Sequence, residues 1–409
     1  MIKTFIKYRE DIYSVIVLLG LISFMLSYAL NSISVILLIV FFFLDSKENI
    51  INKLSYLRNN KVFLLYVLFF LTQIIGLLYS SNVSYGLKKI TLLIPVLFVP
   101  GVIISETIQE SKVYKILEVL KYTITCIFLY YIFFHFFIDE RPLNNFVLYV
   151  INERLGVSQF YILFIVIVPL LYCLRLIELR ISFLSNLFFV LFFIFCVFLL
   201  GNKTSLIFLF VIISTKGYNY LKNKSHTFKI FAIVASITSV MVVAYSMPGI
   251  RKKIDVLVQT TDFDLKTIIT KNSVTYTKNT LEHRILINYI STKEFIKNFP
   301  IGVGTGDYQD VLNKNYDKIN FKVAKKESLN NHNQYLSEFL KTGLLGGFCF
   351  LILMFLLLKS VSIKQNFCFY LVIFFAIGCL FESYLDRQHG VYIFAVLLPF
   401  FMRYEEQPK

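Results

Sequence analysis

His332 stands in the run NHNQYLSEFLKTGLLGG, residues 331–347, where a long polar stretch gives way to an apolar one. Histidine, with an ordinary pKa of about 6.5, offers a neutral base at neutral pH, suited to taking a proton from a hydroxyl. On one continuous helix at 100° per residue, His332, Tyr335, Phe339, Gly343 and Gly346 fall within an arc of about 80°. That spacing predicts a single stripe with the imidazole at its head and a glycine patch at its foot. Gly343 and Gly347 also read as a small-xxx-small pair that lets a neighbouring helix approach. A capping or interfacial histidine would share this setting.

Two further groups have the residue types for anion chemistry. FPIGVGTGDY, residues 299–308, carries Gly302, Gly304 and Gly306 but lacks the Lys-Ser/Thr of a nucleotide phosphate loop. It predicts a turn whose amides meet either an anion or another chain segment. Lys203, in LLGNKTSLI, interrupts two apolar runs, and Arg284, in TLEHRILINYI, belongs to the long polar stretch. A charge at such depth faces a cavity or reaches outward to water. Arg251, Lys252 and Lys253 read as solvated or headgroup-bound charges, and Glu382, Asp386, Arg387 and His389 as an ion-pair network. Asp262 and Asp264 suit a solvated turn, and no His/Cys/Asp/Glu group has metal-ligand spacing, so neither metal nor cofactor is expected. All six cysteines lie in apolar runs and read as small core residues.

The elements that must position these residues are membrane helices. Of 409 residues, 57% are hydrophobic and only 16% charged, against about 25% charged in a soluble domain. The net charge of +16 then marks cytoplasmic loops and lipid phosphates more readily than nucleic acid. Twelve apolar runs are present, from Ile12–Leu30 to Val391–Met402. The first follows Lys3, Lys7 and Arg9 without a small-residue cleavage site and predicts an uncleaved helix. The expected fold is therefore an all-α polytopic membrane protein of about twelve transmembrane helices. An N-terminal bundle of about nine spans covers 1–246, a large outer loop 247–334, and the motif helix with the last spans 335–409. With both termini cytoplasmic, the short inner loops and tails hold eighteen Lys/Arg and the short outer loops six, the asymmetry the positive-inside rule requires. The long segment is too small for a substantial core of its own and is expected to lie on the outer mouth of the bundle.

With these residues in view, the chain resembles the O-antigen ligase and polymerase superfamily, whose related domain is expected over about residues 187–355. The family signature, His, then Asn/Ser/Gln, nine residues, Gly, two residues and Gly/Thr/Tyr, is filled by His332, Asn333, Gly343 and Gly346. Upstream, Arg284, Pro300, Gly302, Gly304 and Gly306 follow the family's R…P-x-GVGxG pattern, and ESYLDRQHGVYIF resembles its closing hairpin. One departure is Asn202-Lys203-Thr204, where the family usually carries Arg, since Lys keeps the charge but loses the planar fork. The resemblance implies an enzyme of the multi-pass bacterial inner membrane with a periplasmic active site. It would move a glycan from an undecaprenyl-diphosphate carrier to an acceptor hydroxyl, without nucleotide, metal or other cofactor. His332 would be the base, with Arg284 and Lys203 holding the diphosphate and Asn333 and the glycines shaping the motif. The acceptor would be lipid A core, a growing glycan or a protein, the last making a protein O-oligosaccharyltransferase. A polysaccharide or solute transporter is the rival class, but it would gather polar groups at the midplane, not at the outer face.

The charge asymmetry makes a direct prediction. Cysteine labelling in intact cells should modify positions throughout 247–334 from outside and positions within 47–61 only after permeabilisation; an inside signal from the long segment would invert the orientation.

Overall fold

The computed structural model describes residues 8–201, 203–221, 224–246, 248–271, 278–361 and 366–406. Among these, no β-strand occurs and the chain is built from helices. In order they are α1 (Arg9–Leu26), α2 (Tyr28–Phe43), α3 (Lys47–Asn59), α4 (Lys61–Leu78), α5 (Val83–Ser105), α6 (Glu110–Phe133), α7 (Gln159–Glu178), α8 (Phe183–Leu200), α9 (Lys203–Tyr220) and α10 (His226–Ser246). Then come α11 (Pro248–Thr260), α12 (Leu265–Thr270), α13 (Thr280–Lys297), α14 (Tyr308–Lys318), α15 (Lys322–Lys326), α16 (Gln334–Ser360), α17 (Asn366–Gly378), α18 (Gln388–Tyr392) and α19 (Leu398–Glu406).

Seven helices among the described residues are long and apolar enough to cross a bilayer. An eighth candidate is the pair α2 and α3, bent by 110° at Leu44–Ser46. The apolar runs predicted from Ser205 and Phe367 form shorter helices. The run Ile12–Leu30 is broken at Ser27, and Val391–Met402 contains a π-helical stretch, Ile393–Leu397. Every predicted run is thus helical, while seven to eight meet the length and hydropathy expected of a span.

The chain divides into two compact units, one of residues 18–30 and 111–256, the other of residues 1–17, 31–110 and 257–409. In the second unit a quartet of charges ties its N-terminal elements. Arg9 and Lys53 each pair with both Asp45 and Glu106, at 2.6–3.3 Å. The same unit holds α12 to α15 of the long polar segment. These do build a core: Ile268, Leu286, Ile287, Ile290, Tyr308, Leu312, Tyr316 and Phe321 are buried together, closed from α16 by Leu340. The polarity of this segment conceals that its apolar residues fall on facing sides of α13 and α14. Asp262 and Asp264 serve the same packing, Asp262 pairing with Lys271 and Asp264 capping α12.

The predicted stripe down α16 does not form. His332 lies two residues before the helix, with φ +47°, and α16 is broken at Gly343, where φ is +63° and ψ −147°. The 100° arithmetic assumed a continuous helix and fails at both places. The break has a partner, the glycine-rich turn. Leu344 N donates to Pro300 O at 2.9 Å, Val303 N to Leu340 O at 2.8 Å and Gly304 N to Lys341 O at 2.8 Å. The carbonyls that the break frees from α16 are satisfied by the turn, as buried backbone groups must be. A Cβ on Gly343 would come within 2.0 Å of Pro300 O, so this glycine admits a crossing chain segment and does not serve as a helix-packing notch.

Gly343→Ala should therefore lower stability by about 2–3 kcal/mol, from its near-forbidden backbone angles and the overpacking together. Thermal unfolding in detergent would register this; a variant as stable as the parent would show that the break is not needed.

Candidate functional site

Local chain chemistry sets His332 in place. Asn330 Oδ1 accepts from His332 N at 3.1 Å, holding the left-handed turn, and Asn333 Oδ1 accepts from Leu336 N at 3.0 Å as the cap of α16. The imidazole is one-quarter exposed, and its Nδ1 lies 3.3 Å from Glu382 Oε2. A carboxylate there favours the tautomer with the proton on Nδ1 and leaves Nε2 as the acceptor nitrogen.

Arg284, on the second turn of α13, is half-buried with its guanidinium 5.9 Å from the centre of the Phe381 ring. Burial lowers its pKa from the ordinary arginine value, and the charge of Glu382 works against that. The Phe381–Glu382 turn is thus the junction at which His332 and Arg284 meet. Lys203 opens α9 in the other unit, and its side chain lies outside the described residues.

The glycine-rich turn has no amide left for an anion. Gly302 N donates to Asn298 O, Thr305 N to Gly76 O and Gly306 N to Ser80 Oγ, besides the two bonds to α16. Of the two partners its sequence allows, this turn takes the chain segment. Asp307 then closes the corner by accepting from Ser81 N and Asn82 N, both at 2.7 Å.

Beneath His332 lies a charge cluster that the sequence reading missed. Asp386 Oδ1 contacts Lys341 Nζ at 3.0 Å, Lys89 Nζ at 3.4 Å and the Tyr308 hydroxyl at 3.1 Å, while Oδ2 accepts from Asn330 Nδ2 at 3.2 Å. Glu338, one turn before Lys341, accepts from Gln73 and Gln334 at 2.7 and 2.5 Å and lies 3.6 Å from Lys341. Burial alone would raise the Asp386 pKa, but Lys341 and Lys89 hold its carboxyl well below the usual range. Burial and the Asp386 charge together push the Tyr308 phenol up. The signal was present: Glu338 and Lys341 are charges three residues apart on a helix that runs into an apolar stretch. Of the four residues read as one ion-pair network, Asp386 joins this cluster and Glu382 turns instead to His332. Among the described residues, no group of three or more His, Cys, Asp and Glu side chains could hold a metal ion.

Residues 187–351 match the family model Wzy_C, O-antigen ligase, so this chain carries a domain of the O-antigen ligase and polymerase superfamily. The matched stretch includes Lys203, Arg284, the glycine turn, His332, Gly343 and Gly346, and stops before Glu382 and Asp386. No curated protein matches the chain. Several apolar helices and this domain together mark a multi-pass membrane protein of the ligase- and polymerase-type glycosyltransferase class.

Removing one member of a buried ion pair strands the other charge, at about 3–5 kcal/mol. Lys341→Met should show a loss in the lower part of that range, since Lys89 stays beside Asp386. A thermal-unfolding midpoint equal to the parent's would mean that the cluster contributes nothing to stability.

Proposed function

We propose that the protein transfers a glycan from an undecaprenyl-diphosphate carrier to an acceptor hydroxyl at the periplasmic face of the bacterial inner membrane. The observation that carries this reading is the contact of His332 with Glu382 beside Arg284, within a chain bearing an O-antigen ligase domain. In this mechanism the acceptor oxygen attacks the anomeric carbon of the donor sugar, and its proton passes to His332 Nε2. The bond from that carbon to the diphosphate oxygen breaks, and the leaving diphosphate takes the electron pair. Glu382 orients the ring and stabilises the imidazolium as it forms. Arg284 neutralises charge developing on the diphosphate, which a half-buried guanidinium does more strongly than one in open water. The buried cluster around Asp386 would keep the floor of the site rigid.

The accompanying topology is twelve spans with both termini cytoplasmic and residues 247–334 outside. The three regions are those expected from the apolar pattern, 1–246, 247–334 and 335–409. Within the class, lipid A core (ligase), a growing glycan (polymerase) or a protein hydroxyl would each serve as acceptor for the same chemistry.

The test is transfer in proteoliposomes with a synthetic lipid-diphosphate donor. His332→Ala should lower the rate about 10²–10⁴-fold, the span of a single general base, with donor binding retained. Arg284→Ala should weaken donor binding and rate together, and Glu382→Gln should cost less than His332→Ala. A well-folded His332→Ala protein working at the parental rate would remove the histidine from the chemistry.

A further inference from the structure

A cavity of about 480 Å³ lies at one end of α6, α7 and α8, and the proposed transfer makes no use of it. All its walls come from the unit of residues 111–256, chiefly Glu118, Lys121 and Tyr122 of α6, Tyr172 of α7, and Ser182, Ser185 and Asn186 where α8 begins. With its π-helical continuation, α6 runs 29 residues, Glu110–Ile138, or about 43 Å at 1.5 Å per residue. That exceeds a hydrocarbon core of about 30 Å, so the first turns of α6 extend toward headgroup depth.

The lining has polar groups that ask for a ligand. The Lys121 side chain is buried, bonded to Glu118 at 2.6 Å and lying 4.6 and 4.8 Å from the rings of Tyr122 and Phe189. Asn186 is 2% exposed and donates through Nδ2 to Ile181 O at 2.9 Å, but its Oδ1 is buried without a hydrogen-bond partner among the described residues. Such an acceptor calls for a donor. Ser182, the N-cap of the 18-residue α8, makes no side-chain cap bond. The first-turn amides of α8, which no intrahelical carbonyl satisfies, are therefore open to an anion. One cation and one carboxylate make the lining neutral overall. At the rim Leu176, Leu179 and Ile181 are apolar, and the last two are exposed.

We infer that this cavity binds the phosphoethanolamine headgroup of a phospholipid. The phosphate sits against Lys121, the serine hydroxyls and the start of α8, and the primary ammonium donates to Asn186 Oδ1 and Glu118. The acyl chains leave over Leu179 and Ile181. A neutral lining suits a zwitterion over a net-anionic head, and a trimethylammonium group, having no N–H, leaves Asn186 unsatisfied.

Native mass spectrometry of the full chain from mixed micelles tests this with phosphatidylethanolamine, its mono- and dimethyl derivatives, phosphatidylcholine and phosphatidylglycerol at equal concentration. The expected result is one retained phosphatidylethanolamine, favoured roughly tenfold over phosphatidylcholine as one charge-assisted hydrogen bond is lost, with retention falling along the methyl series. Asn186→Leu should erase the preference, and Ser185→Leu, which removes a phosphate contact, should lower retention of both lipids alike. Should either variant fold poorly, the methyl series on the native chain reads the same interaction. Equal retention of the ethanolamine and choline lipids, or a preference for phosphatidylglycerol, overturns the assignment. Glycerophosphoethanolamine, which lacks the chains, should displace the lipid only in large excess; displacement at equal concentration would assign the cavity to a soluble phosphoethanolamine compound and overturn the lipid.

Discussion

Three backbone hydrogen bonds between the glycine-rich turn and the opened α16 organise one end of this molecule. Where α16 breaks at Gly343, two carbonyls and one amide lose their helical partners, and Pro300, Val303 and Gly304 replace them. An unpaired buried backbone group costs about as much as a lost hydrogen bond, so the break and the turn exist only together. The turn is also bonded to α4 through Thr305 and to Ser80, just past that helix, through Gly306, which brings α4, α13 and α16 to one corner. Arg284 lies on α13 and His332 just before α16, two of the elements that meet at this corner.

The same corner concentrates charge where water is scarce. Asp386, Lys341, Lys89 and Glu338 are held by one another and by neutral donors from Tyr308, Asn330, Gln73 and Gln334. Such a network is stable only when its members are satisfied, which makes it a rigid support and a poor place for substitution. Glu382 serves two partners of different kinds: it contacts the Nδ1 of His332 and tempers the burial of Arg284. One carboxylate at that point couples a group suited to accepting a proton with a group suited to holding an anion. This division of labour is what displacement of a diphosphate by a hydroxyl needs.

Charge at the opposite kind of site is arranged differently. In the quartet of Arg9, Asp45, Lys53 and Glu106 each cation bridges both carboxylates, so it has the form of a clasp. At the cavity by Lys121, by contrast, the Asn186 acceptor has no partner among the described residues and the start of α8 has no side-chain cap.

Composition and apolar run length by themselves determined that the chain is helical and membrane-embedded, because a bilayer leaves helices as the economical way to satisfy a long apolar backbone. The motif spacing around His332, Arg284, Gly302–Gly306 and Gly343 likewise pointed to the domain that residues 187–351 carry. What the sequence left open were the roles of these residues toward each other. Whether the turn's amides face an anion or a chain segment depends on which carbonyls lie opposite, and for Val303, Gly304 and Thr305 those belong to Leu340, Lys341 and Gly76, far along the chain. The stripe through His332 failed because an N-cap and a left-handed glycine interrupt the helical phase that the spacing presupposed. Glu338, Lys341 and Asp386 became a cluster only when the turn after α17 was laid against α16, a long-range contact that no local pattern encodes. Tertiary structure decided the partners of Asp386, Glu382 and Arg9, since an ion pair in low dielectric between distant residues is fixed by geometry across the fold and not by their order along the chain.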